Sequence, residues 1–581
     1  MKFWKWLLVL LLLLVLLLAL PIGLFLLGSS EPPLKKNSVL TIDLSSPVTE
    51  SGGSPSLQDM LMGNAAHPLA AYQIADALHA AAEDEHIAGV FLHGGVSGSP
   101  ATLLAVREAL AAVREAHKPV IAFYGSMDER TLWLASAADE LWMEPLGIIQ
   151  IDGFAIEIPY FGKLCEKYGV EMQVTRVGKY KSAVEPYMLE SMSAENREQL
   201  TGILVDAQNT IFDQIAASRR IERSALEQAA QTEGLVRSAD ALARGWITRT
   251  GFLGDALADW KQRLKVDKDE ELHQIDLVRY ARRIDSPSAQ SSGEGRGVRV
   301  IEAEGEIVDG SSSDGIGGDD LARALREARE EKDVAAVVLR VNSPGGSATA
   351  SDVIRNEVRA LRAAGKPVVV SMGAVAASGG YWISADADAI VAQPETITGS
   401  IGVFGMFPNI ERLAAEHGVK AQIVRTSPLA GAESMMLRKS PEQLARMQSF
   451  VDLIYERFLD LVAEGRKLER TKVAEIAQGR VWSGRAAREL GLVDELGNLE
   501  RAIALAREKA KLSQDAPMHR VEEERSAFDK FLEGLLEGQP EPLAKGLLPE
   551  RTELELLERW LRQFHSHHGV LARLPFDPEL R

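Results

Sequence analysis

The sequence predicts an α/β fold built as two tandem modules. Three observations predict it: a long-range internal repeat, strands alternating with helices in both copies, and one Ser/Gly-rich linker between them. The segment Lys118-Pro119-Val120-Ile121-Ala122 returns as Lys366-Pro367-Val368-Val369-Val370. Lys167-Tyr168-Gly169-Val170 returns as Glu416-His417-Gly418-Val419, and the offset drifts only from 248 to 249 residues. Equivalent positions can therefore be read across the two copies.

The elements follow in order. Leu7 to Leu27 is an apolar run of about 21 residues, enough for one helix to cross a bilayer. Lys2 and Lys5 precede it and hold the N-terminus on the cytoplasmic side, although Lys35 and Lys36 weaken that orientation. A cleaved signal peptide ending near Leu27-Gly28-Ser29-Ser30 is the rival. The run exceeds the usual apolar core of roughly 7–15 residues, so a retained anchor is expected over 1–30. The first module, 38–284, reads as a strand at Val39–Leu44, an amphipathic helix at Asn64–Glu83 and a strand at Gly89–Leu92. A helix at Ala101–Ala116, a strand at Val120–Phe123 and helices at 194–218 and 220–245 complete it. Residues 285–297 form the linker. The second module, 298–512, has strands at Val298–Ala303, Val334–Val341 and Val368–Ser371. Its helices are expected at Asp320–Glu330, Ser351–Ala364 and Ser378–Ala385. Gly234-Leu235-Val236 and Gly245-Trp246-Ile247 are echoed late in the second copy by Gly479-Arg480-Val481 and Gly491-Leu492-Val493. Residues 513–581 read as a charged helical extension.

Composition narrows the function. With 46% apolar and 25% charged residues the chain is globular, and a net charge of −18 argues against a nucleic-acid surface. One cysteine, Cys165, excludes an internal disulfide framework and a Cys-rich metal site.

The chemistry lies where the copies differ. The second copy has Ser378 in Ala376-Ala377-Ser378-Gly379-Gly380, where the first has Glu129 or Arg130. The first copy has Lys181 in Tyr180-Lys181-Ser182-Ala183-Val184-Glu185-Pro186, where the second has Ala430. One copy keeps a hydroxyl and the other an amine, which suggests a Ser/Lys hydrolase with the site between the modules. Alone, Ser378 would read as a helix cap and Lys181 as a solvated lysine or a partner of Glu185. A lysine works as a base only if burial or a nearby cation removes its proton near neutrality. Asn342-Ser343-Pro344-Gly345-Gly346-Ser347, between a strand and a helix, can turn backbone N–H groups toward a substrate carbonyl. It is no phosphate loop, since no Gly-Lys-Ser/Thr follows. In the first copy His93-Gly94-Gly95 stands at the equivalent place.

Together these segments resemble the long, tandem form of the signal peptide peptidase A family, membrane-anchored bacterial serine proteases of Clp/crotonase-like fold. Tyr180–Pro186 looks like the general-base motif, Ala377-Ser378-Gly379-Gly380-Tyr381 like the nucleophile motif, and Leu339–Ser347 like the oxyanion strand and loop. Thr398-Gly399-Ser400-Ile401-Gly402 matches the segment whose serine orients the lysine. The resemblance runs from the anchor to about residue 512. It implies Ser378 as nucleophile, Lys181 as base, N–H groups of Gly345, Gly346 and Gly379 as the oxyanion hole, and Ser400 as the lysine's partner. It also implies no metal or cofactor, and signal peptides and other apolar peptides as substrates. A homotetramer of eight modules is implied too. The catalytic part would be periplasmic, held by a single pass through the bacterial inner membrane. The rivals are a crotonase-like acyl-CoA enzyme, an inactive membrane-anchored scaffold, and a Ser/His/Asp triad using His417. A metal site at His565-Ser566-His567-His568 is a weaker idea than an exposed polar tail.

Overall fold

The computed structural model describes residues 34–45, 48–50, 69–284, 295–312, 315–520 and 570–573. The expected anchor, most of the linker and the His565–His568 cluster lie outside the described residues. Among the described residues no helix is long and apolar enough to cross a membrane.

Each copy is organised around its own sheet. The first sheet has six parallel strands in the order Arg249–Thr250, Glu140–Met143, Val120–Tyr124, Ile87–His93, Ser38–Asp43, Gln274–Asp276. The second is centred on Gly297–Glu304, Val334–Ser343 and Val368–Ala377, again parallel. Val334 to Val341 is buried throughout because helices cover both faces, so the strand reads as a continuous apolar run rather than an alternating one. Helices Pro100–Glu115 and Ala348–Ala363 begin at matching caps, the Ser99 hydroxyl accepting from Thr102 N–H and the Ser347 hydroxyl from Ala350 N–H. Two helices of 26 residues, Ala194–Arg219 and Pro441–Arg466, also correspond.

Three expectations are corrected. The helix expected over 220–245 is broken into Arg223–Thr232 and Ser238–Ala243 by a short strand, Gly234–Arg237, which Gly234 admits at φ +68°. Within the expected helical extension, Met518–Arg520 is a strand added to the edge of the second sheet, and Val570–Arg573 is another strand. The equivalent of Gly345-Gly346 is Ser97-Gly98, not Gly94-Gly95. The matched caps fix this alignment, and Gly98 and Gly346 share extreme positive φ values of +132° and +154°.

Among the contacts that join the modules are a strand pairing and a buried ion pair. Strand Glu171–Val177 of the first pairs antiparallel with Val403–Asn409 of the second over seven residue pairs. Arg340, buried in the second module, donates through Nη2 (2.6 Å) and Nε (3.2 Å) to the Glu50 carboxylate, which also accepts from Thr102 Oγ1 at 2.8 Å. Arg340 Nη1 reaches Ser371 Oγ and the Met372 carbonyl, so the strand leading to Gly345 is tied to its neighbour and to the other module. Removing one partner strands a buried charge. Glu50→Ala should therefore cost about 3–5 kcal/mol in a urea titration, and a loss below about 1 kcal/mol would mean that the pair is dispensable.

Candidate active site

Ser378 sits between the end of strand Val368–Ala377 and the start of helix Gly379–Ser384. Its backbone is strained, with φ +54° and ψ −112°, a region that non-glycine residues rarely occupy. Backbone bonds hold it there. Its N–H donates to the Gly399 carbonyl at 2.8 Å, and its carbonyl accepts from Trp382 N–H at 2.8 Å. Although Ser378 stands at the helix cap position, its hydroxyl makes no capping bond. It meets Lys181 instead.

Lys181 Nζ lies 2.8 Å from Ser378 Oγ, 3.0 Å from Ser400 Oγ and 3.1 Å from the Ser400 carbonyl oxygen. These three contacts match a neutral amine. Such an amine can donate its two N–H groups to the Ser400 hydroxyl and carbonyl and accept from the Ser378 O–H. Lys181 and Ser378 are both 0% exposed. Burial pushes the lysine well below its ordinary pKa, and no neighbouring charge contributes to that shift. Glu185, the alternative partner, instead accepts from Ser193 Oγ at 2.7 Å. The arrangement can pass the serine proton to an amine held ready to take it.

Gly345 and Gly346 lie against the start of the helix that follows Ser378. A Cβ on Gly379 would fall 2.8 Å from Ser351 Oγ and 3.1 Å from Gly345 Cα and Gly346 N, so a side chain there would crowd this approach. Gly345 N–H donates to Ser343 Oγ at 3.2 Å, which fixes the loop. All six expected site residues therefore converge, five of them from the second module, with Lys181 brought in from the first. His417 does not join them. It is exposed and its Nδ1 bonds the Leu413 carbonyl one turn back in its own helix.

The residues that seat Lys181 were missed by motif reading. Gly479 packs so closely that a Cβ would sit 2.5 Å from Lys181 Cβ, and Gly402 leaves room for Lys181 Cδ. Tyr180 N–H donates to the Gln478 carbonyl, and Ser400 N–H to the Arg480 carbonyl at 2.7 Å. Gln199 bridges the modules, donating to the Tyr180 carbonyl (3.1 Å) and accepting from Val481 N–H (3.1 Å). The echo of Gly479-Arg480-Val481 in Gly234-Leu235-Val236 was the available signal, but it marked a repeat and not a role.

The sequence matches Peptidase family S49 over residues 112–267 and 360–513, one match in each copy. It is 39% identical over 455 residues to Protease 4 of Salmonella typhi, covering 76% of this chain and 72% of that one. Identity to Protease 4 of Haemophilus influenzae is 37%, covering 70% of this chain and 67% of the relative. A chloroplastic serine protease SPPA of Arabidopsis thaliana is 31% identical over 90% of this chain and 77% of its own length.

The lowered pKa of Lys181 links stability to pH. The unfolded chain holds a proton on this amine up to about pH 10.4, whereas the folded chain has lost it at a lower pH. Between those two values unfolding takes up a proton, so the folded state gains stability as pH rises. Lys181→Met removes this dependence. Melting temperatures from pH 7 to 10 should show the parent gaining on the variant, and parallel curves would rule out a neutral buried amine.

Proposed function

The chain belongs to Peptidase family S49, and on that premise we propose that it is an endopeptidase in which Ser378 is the nucleophile and Lys181 the general base. The 2.8 Å contact between Lys181 Nζ and Ser378 Oγ, made across two modules inside a site without other charges, carries this reading. Neutral Lys181 takes the Ser378 proton as Oγ attacks a peptide carbonyl, giving an acyl-enzyme. Gly379 N–H and an N–H of Gly345-Gly346 stabilise the oxyanion, commonly the largest catalytic contribution. Lys181 then protonates the leaving amine and activates the water that releases the acyl group. Ser400 orients the amine throughout. Neither a metal nor a cofactor has a part in these steps. An acyl-CoA enzyme would have no use for a strained serine paired with a lysine, and a scaffold would have no reason to keep the pair buried and aligned.

The substrates we assign are cleaved signal peptides and other apolar segments. This follows the resemblance described from the motifs and the Protease 4 and SPPA relatives. The apolar run Leu7–Leu27 would hold the catalytic part on the periplasmic side of the bacterial inner membrane. The reading of each module as Clp/crotonase-like rests on its strand–helix–strand units, such as Val368–Ala377, Gly379–Ser384 and Ala389–Ala392.

Internal symmetry supports assembly of several copies, a homotetramer in our reading. The seam between modules pairs 171–177 with 403–409, and by repeat position the same two strands recur as 420–426 and 154–160. Among the described residues neither recurrence is paired. Residues 154–160 alternate in exposure as a strand does, and Val424 and Ile423 project apolar side chains into solvent. Joining 154–160 of one chain to 420–426 of the next repeats the seam between copies. Val424→Arg should shift the sedimentation mass toward the single chain. An unchanged mass would exclude this edge as the contact.

Activity tests the site directly. Ser378→Ala and Lys181→Ala should each lower peptide hydrolysis by several orders of magnitude without unfolding the protein, while His417→Ala keeps most of it. The parent rate should rise from neutral to alkaline pH, since the working form of Lys181 is deprotonated. An inactive His417→Ala beside an active Lys181→Ala would replace the dyad with a triad.

A further inference from the structure

A short run of the second module, Gln478 to Val481, wraps the chain that delivers Lys181. Tyr180 N–H donates to the Gln478 carbonyl, a Cβ on Gly479 would strike Lys181 Cβ, and Val481 N–H donates to Gln199 of the first module. Arg480 contributes on two sides. Its carbonyl accepts from Ser400 N–H at 2.7 Å, which helps to hold a serine strained at φ +52°. Its guanidinium carbon lies 4.7 Å from the centre of the Tyr180 ring and 4.3 Å from that of Trp482, both within cation–π reach. Arg480 Nη1 donates to Tyr180 Oη at 3.2 Å and meets Glu198 Oε1 at 2.9 Å, while Tyr180 Oη donates to Glu198 Oε2 at 3.0 Å.

One arginine therefore grips both sides of the amine's setting. Its side chain holds Tyr180, the residue before Lys181, and its carbonyl holds Ser400, whose hydroxyl and carbonyl lie 3.0 and 3.1 Å from Lys181 Nζ. The duplication shows that this clamp is no general feature of the fold. The echo of Gly479-Arg480-Val481 places Leu235 at the arginine's position, and the offset that takes Lys181 to Ala430 takes Tyr180 to Leu429. Helices Ala194–Arg219 and Pro441–Arg466, aligned at their caps Ser193 and Ser440, set Ala445 opposite Glu198. Leu235 and Leu429 are exposed, at 56% and 43%. The three polar groups thus stand at the seam that holds the lysine, and their counterparts in the repeat are all apolar. Arg480 and Glu198 bring no charge to bear on the amine, whose lowered pKa comes from burial. Any hold that they have on it runs through packing.

We propose that Arg480 is a positioning residue for the peptidase step, holding Lys181 and Ser400 in register and the module seam closed over the amine. The inference rests on the peptidase reading above and adds a residue that acts through Lys181 and Ser400 rather than on the reacting atoms. A displacement of about 1 Å in such a group can cost about 10²-fold in rate. Loosening also changes the pH at which the base works. Water reaching Lys181 Nζ stabilises the ammonium, so the pKa moves back up toward its ordinary value. The rising limb of the rate profile then moves with it to higher pH. A brace that served the fold alone would leave that limb where it is.

Steady-state hydrolysis of a synthetic peptide ester by the full chain, from neutral to alkaline pH, tests this, with a urea titration of every sample. Arg480→Leu, which copies the other repeat, should lower kcat by about 10²-fold, leave KM nearly unchanged and move the rising limb to higher pH. Arg480→Lys keeps a cation beside Glu198 but loses the planar fork that lies on the two rings. It should fall between the parent and Arg480→Leu in both kcat and limb. If Arg480→Leu does not fold, the limb of Arg480→Lys decides. A limb that stays at the parent's pH in the folded variants overturns the inference, even where the rate falls with stability, and leaves the peptidase reading standing. A parent inactive on the ester sinks that reading and the inference with it.

Discussion

The contact between Lys181 and Ser378 makes one demand on the rest of the molecule: an amine must be kept dry and uncharged. Water or a nearby carboxylate would favour the ammonium. The structure excludes both by closing the second module over a lysine that the first module supplies. Gly479 and Gly402 leave no room beyond the side chain itself, and Ser400 satisfies both N–H groups without adding charge. The strained backbone at Ser378 and Ser400, with φ of +54° and +52°, is the local cost of bringing two hydroxyls to one nitrogen.

Duplication explains how one site came to need two modules. In the first copy helix Glu129–Ala135 carries Trp133 where the second carries Trp382, which sets Glu129 opposite Ser378. Glu129 is buried, and its carboxylate accepts the N–H groups of Asp152 and Gly153 at 2.6 and 2.7 Å. Burial raises its pKa despite these bonds. A position that carries the strained serine in one copy thus ties a loop in the other. The lysine position diverged the opposite way, leaving Ala430 in the second copy.

The inter-module contacts have a common logic. Glu50 and Arg340 fix the strand that feeds the Gly345 loop, while Gln199 and Val481 fix the loop that carries Lys181. Each half of the site is therefore braced by the module opposite to the one that encodes it. The antiparallel pairing of 171–177 with 403–409 adds a main-chain seam that side-chain substitutions cannot easily loosen.

Much of this was legible in the sequence because it is local or repeated. Apolar runs such as Val334–Val341 mark buried parallel strands, the 248–249 offset marks duplication, and the serine and lysine stand out by their absence from the opposite copy. The six residues that meet around Ser378 were readable from motifs for the same reason. What the sequence could not supply depends on contacts between distant segments. Gly479 has no local reason to be near Lys181, Glu50 has none to be near Arg340, and Val570–Arg573 has none to pair with Gly345–Ser347. The glycines of His93-Gly94-Gly95 even pointed to the wrong equivalent, because composition suggested an alignment that the helix caps overrule. Local pattern fixes which faces are buried and where elements begin. Only the packed tertiary structure decides which buried groups meet, and the pKa of Lys181 is a property of that meeting.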